Sequence, residues 1–193
     1  MPKIVDADIQ RDEIRSAARR VFAERGVHGT GLAHVAEAAG MGRSSLYHYY
    51  PDKDSLLTDL VKEMFDQELA MFRACLRGSE PPLARLDRLA RACAALFPEW
   101  AAFGRMILDL RLANTQFVKA AFRGMRRELA SVIAEGQEEG SFAPEPSADV
   151  TASVLIGAID GLLIQYFVEP RALPKPVDIA EALCVTARRI VAK

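Results

Sequence analysis

The chain has 193 residues, of which 50% are hydrophobic, and its formal net charge is −1. This length suffices for one sizeable core, or for a small domain fused to a larger one. Because the charges nearly balance, a nucleic-acid-binding surface must be local rather than spread over the chain. The 3 cysteines lie far apart in apolar helical patterns, which predicts buried free thiols in a reducing cytoplasm, with a redox sensor as the alternative.

In chain order, the pattern first predicts a run of four helices. The first ends at Gly26, because glycine enters the left-handed cap without strain. Gly40 suits a tight left-handed turn between the second helix and the third. Pro51 ends the third helix, since proline disfavours a helical residue before it, and Asp52 caps a long fourth helix. The second, third and fourth helices are expected at about residues 32–39, 43–50 and 53–76.

Five further helices are predicted after a break at residues 78–82. They are expected at about residues 83–97, from Pro98 onward, 114–139, 147–168 and 177–191. No segment shows the strict alternation of a strand, so the predicted fold class is all-α with about nine helices. We expect a small three-helix domain at residues 1–53 and a larger helical domain at residues 54–193.

The third predicted helix presents a polar face of the kind that reads DNA. Side chains one, four and five residues apart fall within about one turn and so share that face. A short helix after a tight turn is the layout of a helix-turn-helix unit that enters the major groove. Arg43 can bond guanine twice or neutralise a phosphate, although a lone arginine can also be a solvated surface residue. Tyr47 is interpreted as a DNA contact, with half-buried packing as the alternative.

Two residues outside the third helix complete the predicted DNA contacts. Thr30 precedes the second helix, where a hydroxyl and free backbone N–H groups suit an anion. Lys53 begins the fourth helix and can meet a phosphate as a point charge. The candidate DNA-binding residues are Thr30, Arg43, Ser44, Ser45, Tyr47, His48 and Lys53.

The segment AAGMGRSSLYHYYPDKDSLL at residues 38–57 resembles the recognition-helix signature of the TetR family of transcriptional regulators. The resemblance covers the first third of the chain, and DGLLIQYF at residues 160–167 is similar to the dimerisation region of some members. It implies that residues 1–53 form a helix-turn-helix DNA-binding domain and that residues 54–193 form a larger helical effector-binding and dimerisation domain. Gly31 and Gly42 depart from the family pattern, which often has Thr or Ser at the first position and Ser at the second. Glycine is acceptable at a helix N-cap but offers no side-chain acceptor there.

The predicted helix at residues 150–168 is apolar on nearly all sides, so it must be covered. A buried helix of a soluble protein is favoured over a membrane span, because Asp160 and Gln165 lie within it and it lacks basic flanks. Small residues four apart permit another helix to approach closely. With the last helix it is expected to form a four-helix homodimer interface, and packing within one chain is the alternative. The candidate interface residues are Ser153, Gly157, Asp160, Gly161, Ile164, Leu183 and Ile190.

The middle of the chain is rich in aromatic residues and methionine, which makes it a candidate effector pocket. For each of these residues, simple core packing is the alternative. The expected ligand is a small apolar or aromatic molecule, and its identity is open. The candidate ligand-binding residues are Phe65, Phe97, Trp100, Phe103, Met106, Ile107, Phe117, Met125 and Gln165.

We therefore expect a sequence-specific DNA-binding transcriptional regulator in the cytoplasm. It is predicted to be a repressor that a small, largely apolar ligand releases from a palindromic double-stranded operator, with no cofactor, metal or membrane partner. An activator or ligand-independent regulator with the same DNA-binding unit is one alternative, and an all-α adaptor or carrier that does not bind DNA is another. The sequence has no nucleophile elbow, Glu-x-x-His pair, glycine-rich phosphate loop or metal-ligand spacing, so we do not expect an enzyme.

Overall fold

The computed structural model of the chain describes residues 7–109, 116–169, 171 and 174–192. Within these ranges it does not describe the side chains of Glu99, residues 101–109 and Phe167. The described residues form 8 α-helices and no strand, which confirms the all-α fold class. The helices are α1 (Ala7–Arg25), α2 (Leu32–Ala38), α3 (Arg43–Tyr49), α4 (Lys53–Leu76), α5 (Pro82–Asp109), α6 (Gln116–Glu138), α7 (Ala148–Val168) and α8 (Pro176–Val191).

The predicted break before Pro98 is wrong, and this accounts for one helix fewer than expected. Helix α5 runs through Pro98 without interruption. A proline inside a helix removes one backbone hydrogen bond and costs about 3 kcal/mol or more. Phe97 and Trp100 on either side are buried at 0% and 6% exposure, and burying two such large side chains offsets that cost. The predicted helix start at Asn114 lies outside the described residues.

The chain divides into two compact units, Met1–Glu63 and Met64–Lys193. The first unit contains α1, α2, α3 and the start of α4, whereas the sequence-based boundary after residue 53 assigned all of α4 except Lys53 to the second domain. The difference arises because Asp59 and Glu63 of α4 form ion pairs with α1. Helix α4 therefore contributes residues to both units.

The first unit has a single apolar core, to which each of its helices contributes one face. Gly26 ends α1 with a φ of +73°, and its N–H donates to the carbonyl of Phe22 at 2.9 Å. This left-handed cap is the one that the sequence predicts. The buried apolar residues of the unit are Ile14, Ala17, Ala18, Val21, Phe22, Leu32, Val35, Ala36, Leu46, Tyr50, Leu56, Leu57, Leu60 and Val61.

In the second unit, α5 packs against α7 and α8, and α6 packs against α7. Arginines from α5 close the C-terminal end of α4, where a helix leaves carbonyl groups without partners. Arg85, which is 4% exposed, donates to the carbonyl of Leu76 at 3.2 Å and pairs with Glu135 of α6. Arg88 donates to the carbonyl of Cys75 at 2.8 Å. These bonds fix α4 against α5 and α6.

The cysteines Cys75, Cys93 and Cys184 are buried and free, which confirms the prediction of buried thiols. Burial raises the pKa of each thiol above its ordinary value. A raised pKa disfavours the thiolate, which is the reactive form, and so weakens the redox-sensor alternative.

Helix α7 is apolar along its length, but its own chain does not enclose it. Residues 148–166 are long and apolar enough to cross a membrane, as core helices of soluble proteins can be, and 22% of that stretch is buried. One face of α7 packs against α5 and α6. The other face exposes Val154, Ile164 and Val168, each by more than half. Within one chain, the expected burial on both sides is therefore met on one side only.

Candidate nucleic-acid interface and ligand cavity

Helix α3 has one face buried in the first unit and the other exposed. The turn before it uses Gly40, whose φ of +66° lies in the left-handed region that glycine enters without strain. Leu46 and Tyr50, at 0% and 2% exposure, anchor the helix to the core. The residues on its exposed side are Arg43, Ser44, Ser45, Tyr47 and His48. The structure thus places on one exposed side all the α3 residues that the sequence predicts to contact DNA.

Two of these side chains are free to meet a partner. Arg43 is exposed and has no hydrogen bond or ion pair with any residue that the structure describes. Tyr47 is 53% exposed, so the alternative of half-buried packing does not hold for it. The neighbouring Tyr49 is half-buried instead, and the guanidinium of Arg11 lies 5.9 Å from its ring centroid.

Thr30 and Lys53 hold the loop between α1 and α2. The Thr30 side chain is buried at 2% exposure, and its hydroxyl donates to the carbonyl of Gly26 at 2.7 Å. The Lys53 ammonium donates to the carbonyls of Val27 at 2.9 Å and Thr30 at 3.2 Å. Both residues were predicted as phosphate contacts. Their observed partners are backbone groups, so we assign to both a role in positioning α2.

The N-cap positions of α2 and α3 are Gly31 and Gly42, as the sequence predicts. Neither has a side-chain cap, and both adopt extended backbone angles that any residue can take. His34 supplies part of the missing capping at α2, because its Nδ1 accepts the N–H of Gly31 at 3.2 Å. This is the reciprocal half of a capping box, formed here by an imidazole.

A polar network connects the end of α3 to α4 and α1. Tyr50 donates its hydroxyl proton to Asp59 at 2.5 Å, and Arg15 donates to the same carboxylate at 2.9 Å. Arg15 also pairs with Glu63 at 2.9 Å. Burial and the hydrogen bond to Asp59 raise the pKa of Tyr50 to about 12. Burial alone would raise the pKa of Asp59, but the bonds from Tyr50 and Arg15 outweigh it and lower that pKa.

The second unit contains a cavity of about 640 Å³, a volume typical of sites for drug-sized ligands. Its wall is mostly apolar, and aromatic rings form much of it. The rings of Phe65 and Phe122 pack at a tilt with their centroids 5.8 Å apart. The described lining residues are Met64, Phe65, Glu68, Trp100, Gln116, Val118, Lys119, Phe122, Arg123, Arg126, Asp160, Leu163 and Ile164.

Among the described lining residues, two carboxyl groups face this apolar cavity, one from α4 and one from α7. Glu68 keeps some exposed surface because it faces the cavity, but its carboxyl lies deep among protein atoms. Burial and the nearby charge of Asp160 raise the pKa of Glu68 to about 8. Burial raises the pKa of Asp160 to about 6. Near neutral pH, Glu68 therefore keeps its proton while Asp160 is largely ionised.

Two family models match the chain. One is described as bacterial regulatory proteins of the tetR family and matches residues 14–60, which span α1 to the start of α4. The other is described as the C-terminal part of BetI-type transcriptional repressors and matches residues 113–190. The chain belongs to the TetR family. It is a DNA-binding transcriptional repressor with a second, ligand-binding domain, as the sequence predicts.

Individual TetR-family relatives agree with this assignment. The transcriptional repressor KstR2 of Mycobacterium tuberculosis is 28% identical over 146 residues, which cover 73% of each chain. The fatty acid degradation regulator FadR of Bacillus halodurans has the same fold, with a TM-score of 0.72 at 20% identity over 92% of this chain and 94% of that one. SmeT of Stenotrophomonas maltophilia, solved as a complex with triclosan, has a TM-score of 0.71 at 19% identity over 96% and 92%.

Only some of the predicted ligand-binding residues line the cavity of the second unit. Phe65 and Trp100 line it. Phe97 and Met125 are buried in the core at 0% and 1% exposure and are not among its lining residues, and Phe117 packs beside Phe65 with ring centroids 6.3 Å apart. Gln165 is exposed and does not line the cavity. The side chains of Phe103, Met106 and Ile107 lie outside the described part of the chain.

Glu68 is one of several lining residues that the predicted ligand-binding set does not include. It follows Met64 and Phe65 by four and three residues, which places all three on one face of α4. An acid on the apolar stripe of a helix was the available signal. Asp160 and Ile164, predicted for the dimer interface, also line the cavity.

The predicted dimer residues fall into two groups. Ser153 and Gly157 are on the exposed face of α7, and a Cβ added at Gly157 or Gly161 would meet nothing within 4 Å. Leu183 of α8 is 7% exposed and packs inside its own chain, and Ile190 is half-buried. The side of α8 that contains Leu183 and Ile190 therefore faces the core of its own chain. The exposed apolar residues of α8 are Val177 and Val185.

Proposed function

We propose that this TetR-family chain is a homodimeric repressor, and that a small, largely apolar molecule in the cavity releases it from a palindromic operator. The observation that carries the proposal is that one helix, α4, both contacts the end of α3 and lines the cavity. Asp59 on this helix binds Tyr50 at the end of α3, and Glu68 on the same helix lines the cavity. A rearrangement of α4 that a ligand favours would therefore act on the residue that holds the DNA-reading helix.

The mechanism is a shift between two populations. One arrangement of the dimer holds the two α3 helices at the spacing of successive major grooves, and another arrangement does not. A ligand that binds the second arrangement better depopulates the first. Linkage then requires operator DNA to weaken ligand binding by the same factor, typically 5- to 150-fold for known allosteric proteins.

The chemistry of the cavity supports a ligand with a large apolar part. Aromatic and aliphatic side chains from α4, α5, α6 and α7 form most of the wall. The relative FadR is a regulator of fatty acid degradation, and SmeT has been solved with triclosan, an apolar aromatic compound. Both comparisons concern proteins with the same fold, so they support the size and polarity of the ligand rather than its identity.

The exposed apolar face of α7 supports the dimer. Val154, Ile164 and Val168 on α7, with Val177 and Val185 on α8, leave an apolar surface that one chain does not cover. Gly157 has open space around it within the chain, so Gly157→Leu should fold as the wild type does but obstruct a partner helix. Sedimentation velocity should show a weakened dimer for this variant. The matched Ala120→Leu change at an exposed position of α6 should leave the dimer intact.

The first experiment is selection of bound duplexes from a random DNA pool at physiological salt. The proposal predicts enrichment of a palindrome with two half-sites that face the same side of the duplex. Loss of enrichment with Arg43→Ala would tie the selection to α3. If the folded dimer enriches no sequence, whether free or with cavity ligands present, the proposed function is refuted.

A further inference from the structure

The cavity has a charge imbalance that its apolar wall makes costly. Glu68 and Asp160 bring two carboxyl groups into it, and neither has a hydrogen bond or ion pair with a residue that the structure describes. A carboxylate in an apolar site without a partner is strongly disfavoured, so such groups acquire a proton or a cation. Near neutral pH Glu68 holds a proton, whereas Asp160 is largely ionised and has no described partner for its charge.

The cations among the described lining residues do not neutralise these carboxyls. Lys119, Arg123 and Arg126 of α6 line the wall but are exposed, and the pKa of Glu68 and of Asp160 is raised by burial rather than lowered by a nearby cation. A guanidinium within about 4–6 Å would have lowered those pKa values. The three cations thus lie at the solvent side of the cavity and the two carboxyls at its interior.

We infer that the cavity takes an amphipathic organic cation, such as a primary amine on an aromatic or aliphatic body, whose ammonium group lies between Glu68 and Asp160. The inference rests on the proposed function, because it assigns a chemical class to the ligand of the same cavity. An ammonium group donates up to three hydrogen bonds, enough for both carboxylates. The 640 Å³ volume leaves room for the apolar body against Phe65, Trp100 and Phe122.

Binding of the cation should release protons. Near neutral pH the carboxyl pair holds about one proton, mainly on Glu68. When the ammonium enters, both carboxyls ionise beside it and that proton leaves to the buffer. Among the described residues, the groups that face the pair are Lys119, Arg123 and Arg126 of α6 and the thiol of Cys93 on α5, whose pKa burial also raises. Burial keeps the thiol of Cys93 protonated, so the released proton comes from the carboxyl pair.

The test uses matched probes that differ only in the polar head. Naphthylethylamine, naphthylethanol and naphthylpropanoate form one set, and dodecylamine, dodecanol and tridecanoate form a second set of different shape. Affinities are measured by titration calorimetry on the full-length dimer in two buffers of different ionisation enthalpy. We expect at least one amine to bind ten- to a hundredfold more tightly than its alcohol, which is the range for a charge-assisted bond. We also expect the amine alone to release protons.

Variants assign the effect to the carboxyl pair. Glu68→Gln and Asp160→Asn should each weaken the amine about tenfold or more while leaving the matched alcohol within twofold. Glu138→Gln removes one exposed carboxyl from α6 and should change neither affinity. Circular dichroism melts of each variant check that the fold is kept.

The outcomes separate this inference from the proposed function. If the alcohols or the carboxylates bind as tightly as the amines, if no probe binds, or if Glu68→Gln leaves amine binding unchanged, the cation inference is wrong. Carboxylates that bind best and lose affinity with Arg126→Ala would indicate an anion site at α6 instead. If an amine binds with proton release but leaves operator affinity unchanged, the cation inference stands and ligand-driven release from DNA is refuted.

Discussion

The loop between α1 and α2 offers a direct test of the role assigned to Lys53. Replacing it with methionine keeps most of the apolar stem and removes the ammonium group. Two carbonyls, of Val27 and Thr30, then lose their donor. If Lys53 were instead a phosphate contact, the same change would leave stability unaffected and weaken DNA binding.

The expected loss of stability follows from those two bonds. Hydrogen bonds to charged groups contribute about 1.5–3 kcal/mol each where they are well buried. Lys53 is half-buried, and water can replace part of each bond, so we expect Lys53→Met to lower the free energy of unfolding by about 1–2 kcal/mol in total. Arg43 has no described partner, and Arg43→Ala should stay within about 0.5 kcal/mol of the wild type.

The assay combines urea unfolding with the salt dependence of operator binding. Arg43→Ala should weaken binding and reduce the slope of log K against log salt by about 0.9 for each half-site, the value for one phosphate charge. Lys53→Met should change stability with little change in that slope. Lys175→Met, at an exposed position of the second unit, controls for the loss of a lysine. A flattened slope with unchanged stability for Lys53→Met would show that the structural role is wrong.

Three further predictions concern single positions. The pKa of Glu68 is about 8 in the folded state against 4.5 in the unfolded state, so the native state binds more protons and stability should fall as pH rises from about 4.5 to 8. Urea unfolding at stepped pH should show a flatter decline for Glu68→Gln. An equally steep decline would contradict the assignment. Gly42→Ser adds a side-chain N-cap to α3 and should raise the free energy of unfolding by roughly 0.2–0.5 kcal/mol and tighten operator binding. Thermal melts measure the first effect and fluorescence anisotropy the second. A loss in either would mean that glycine is required at this position. Gly136→Ala would place a Cβ too close to the Phe142 ring and should lower the free energy of unfolding by about 1–2 kcal/mol. The double variant Gly136→Ala with Phe142→Leu should recover a part of that loss.

The sequence predicts most of the first unit because its signals are local. Helix caps at Gly26 and Gly40 and the exposed face of α3 follow from spacing and backbone preference within a few residues. The roles of Thr30 and Lys53 do not, because their partners in the loop are backbone carbonyls, up to 26 residues away in the case of Lys53. Backbone carbonyls have no sequence signature, so a polar residue near a helix start was equally compatible with a phosphate.

The cavity was predicted less well, for a different reason. Aromatic residues that fill a core and aromatic residues that surround an empty space have the same helical spacing, so Phe97 and Phe65 look alike in the sequence although only the second lines the cavity. The predicted helix break before Pro98 was wrong for a similar reason, because local residue preferences contain no information about the tertiary packing that stabilises α5 through the proline. For locating a cavity between helices, side chains that are costly to bury, such as that of Glu68, are therefore more informative than apolar side chains.

Tyr50→Phe tests whether α4 transmits ligand binding to α3. Asp59 and Glu68 are nine residues apart on α4, or about two and a half helical turns, so a rotation that re-aims Glu68 in the cavity also moves Asp59. The Tyr50 hydroxyl donates a hydrogen bond to Asp59 and so connects α4 directly to the end of α3, whereas Arg15 connects Asp59 to α1. Removing that hydroxyl should keep both operator and ligand binding but reduce the ratio of ligand affinities measured without and with operator, by calorimetry, several-fold. An unchanged ratio would mean that α4 acts on α3 through packing alone, for which the buried Leu46 of α3 and the buried Leu56 and Leu57 of α4 are the candidates.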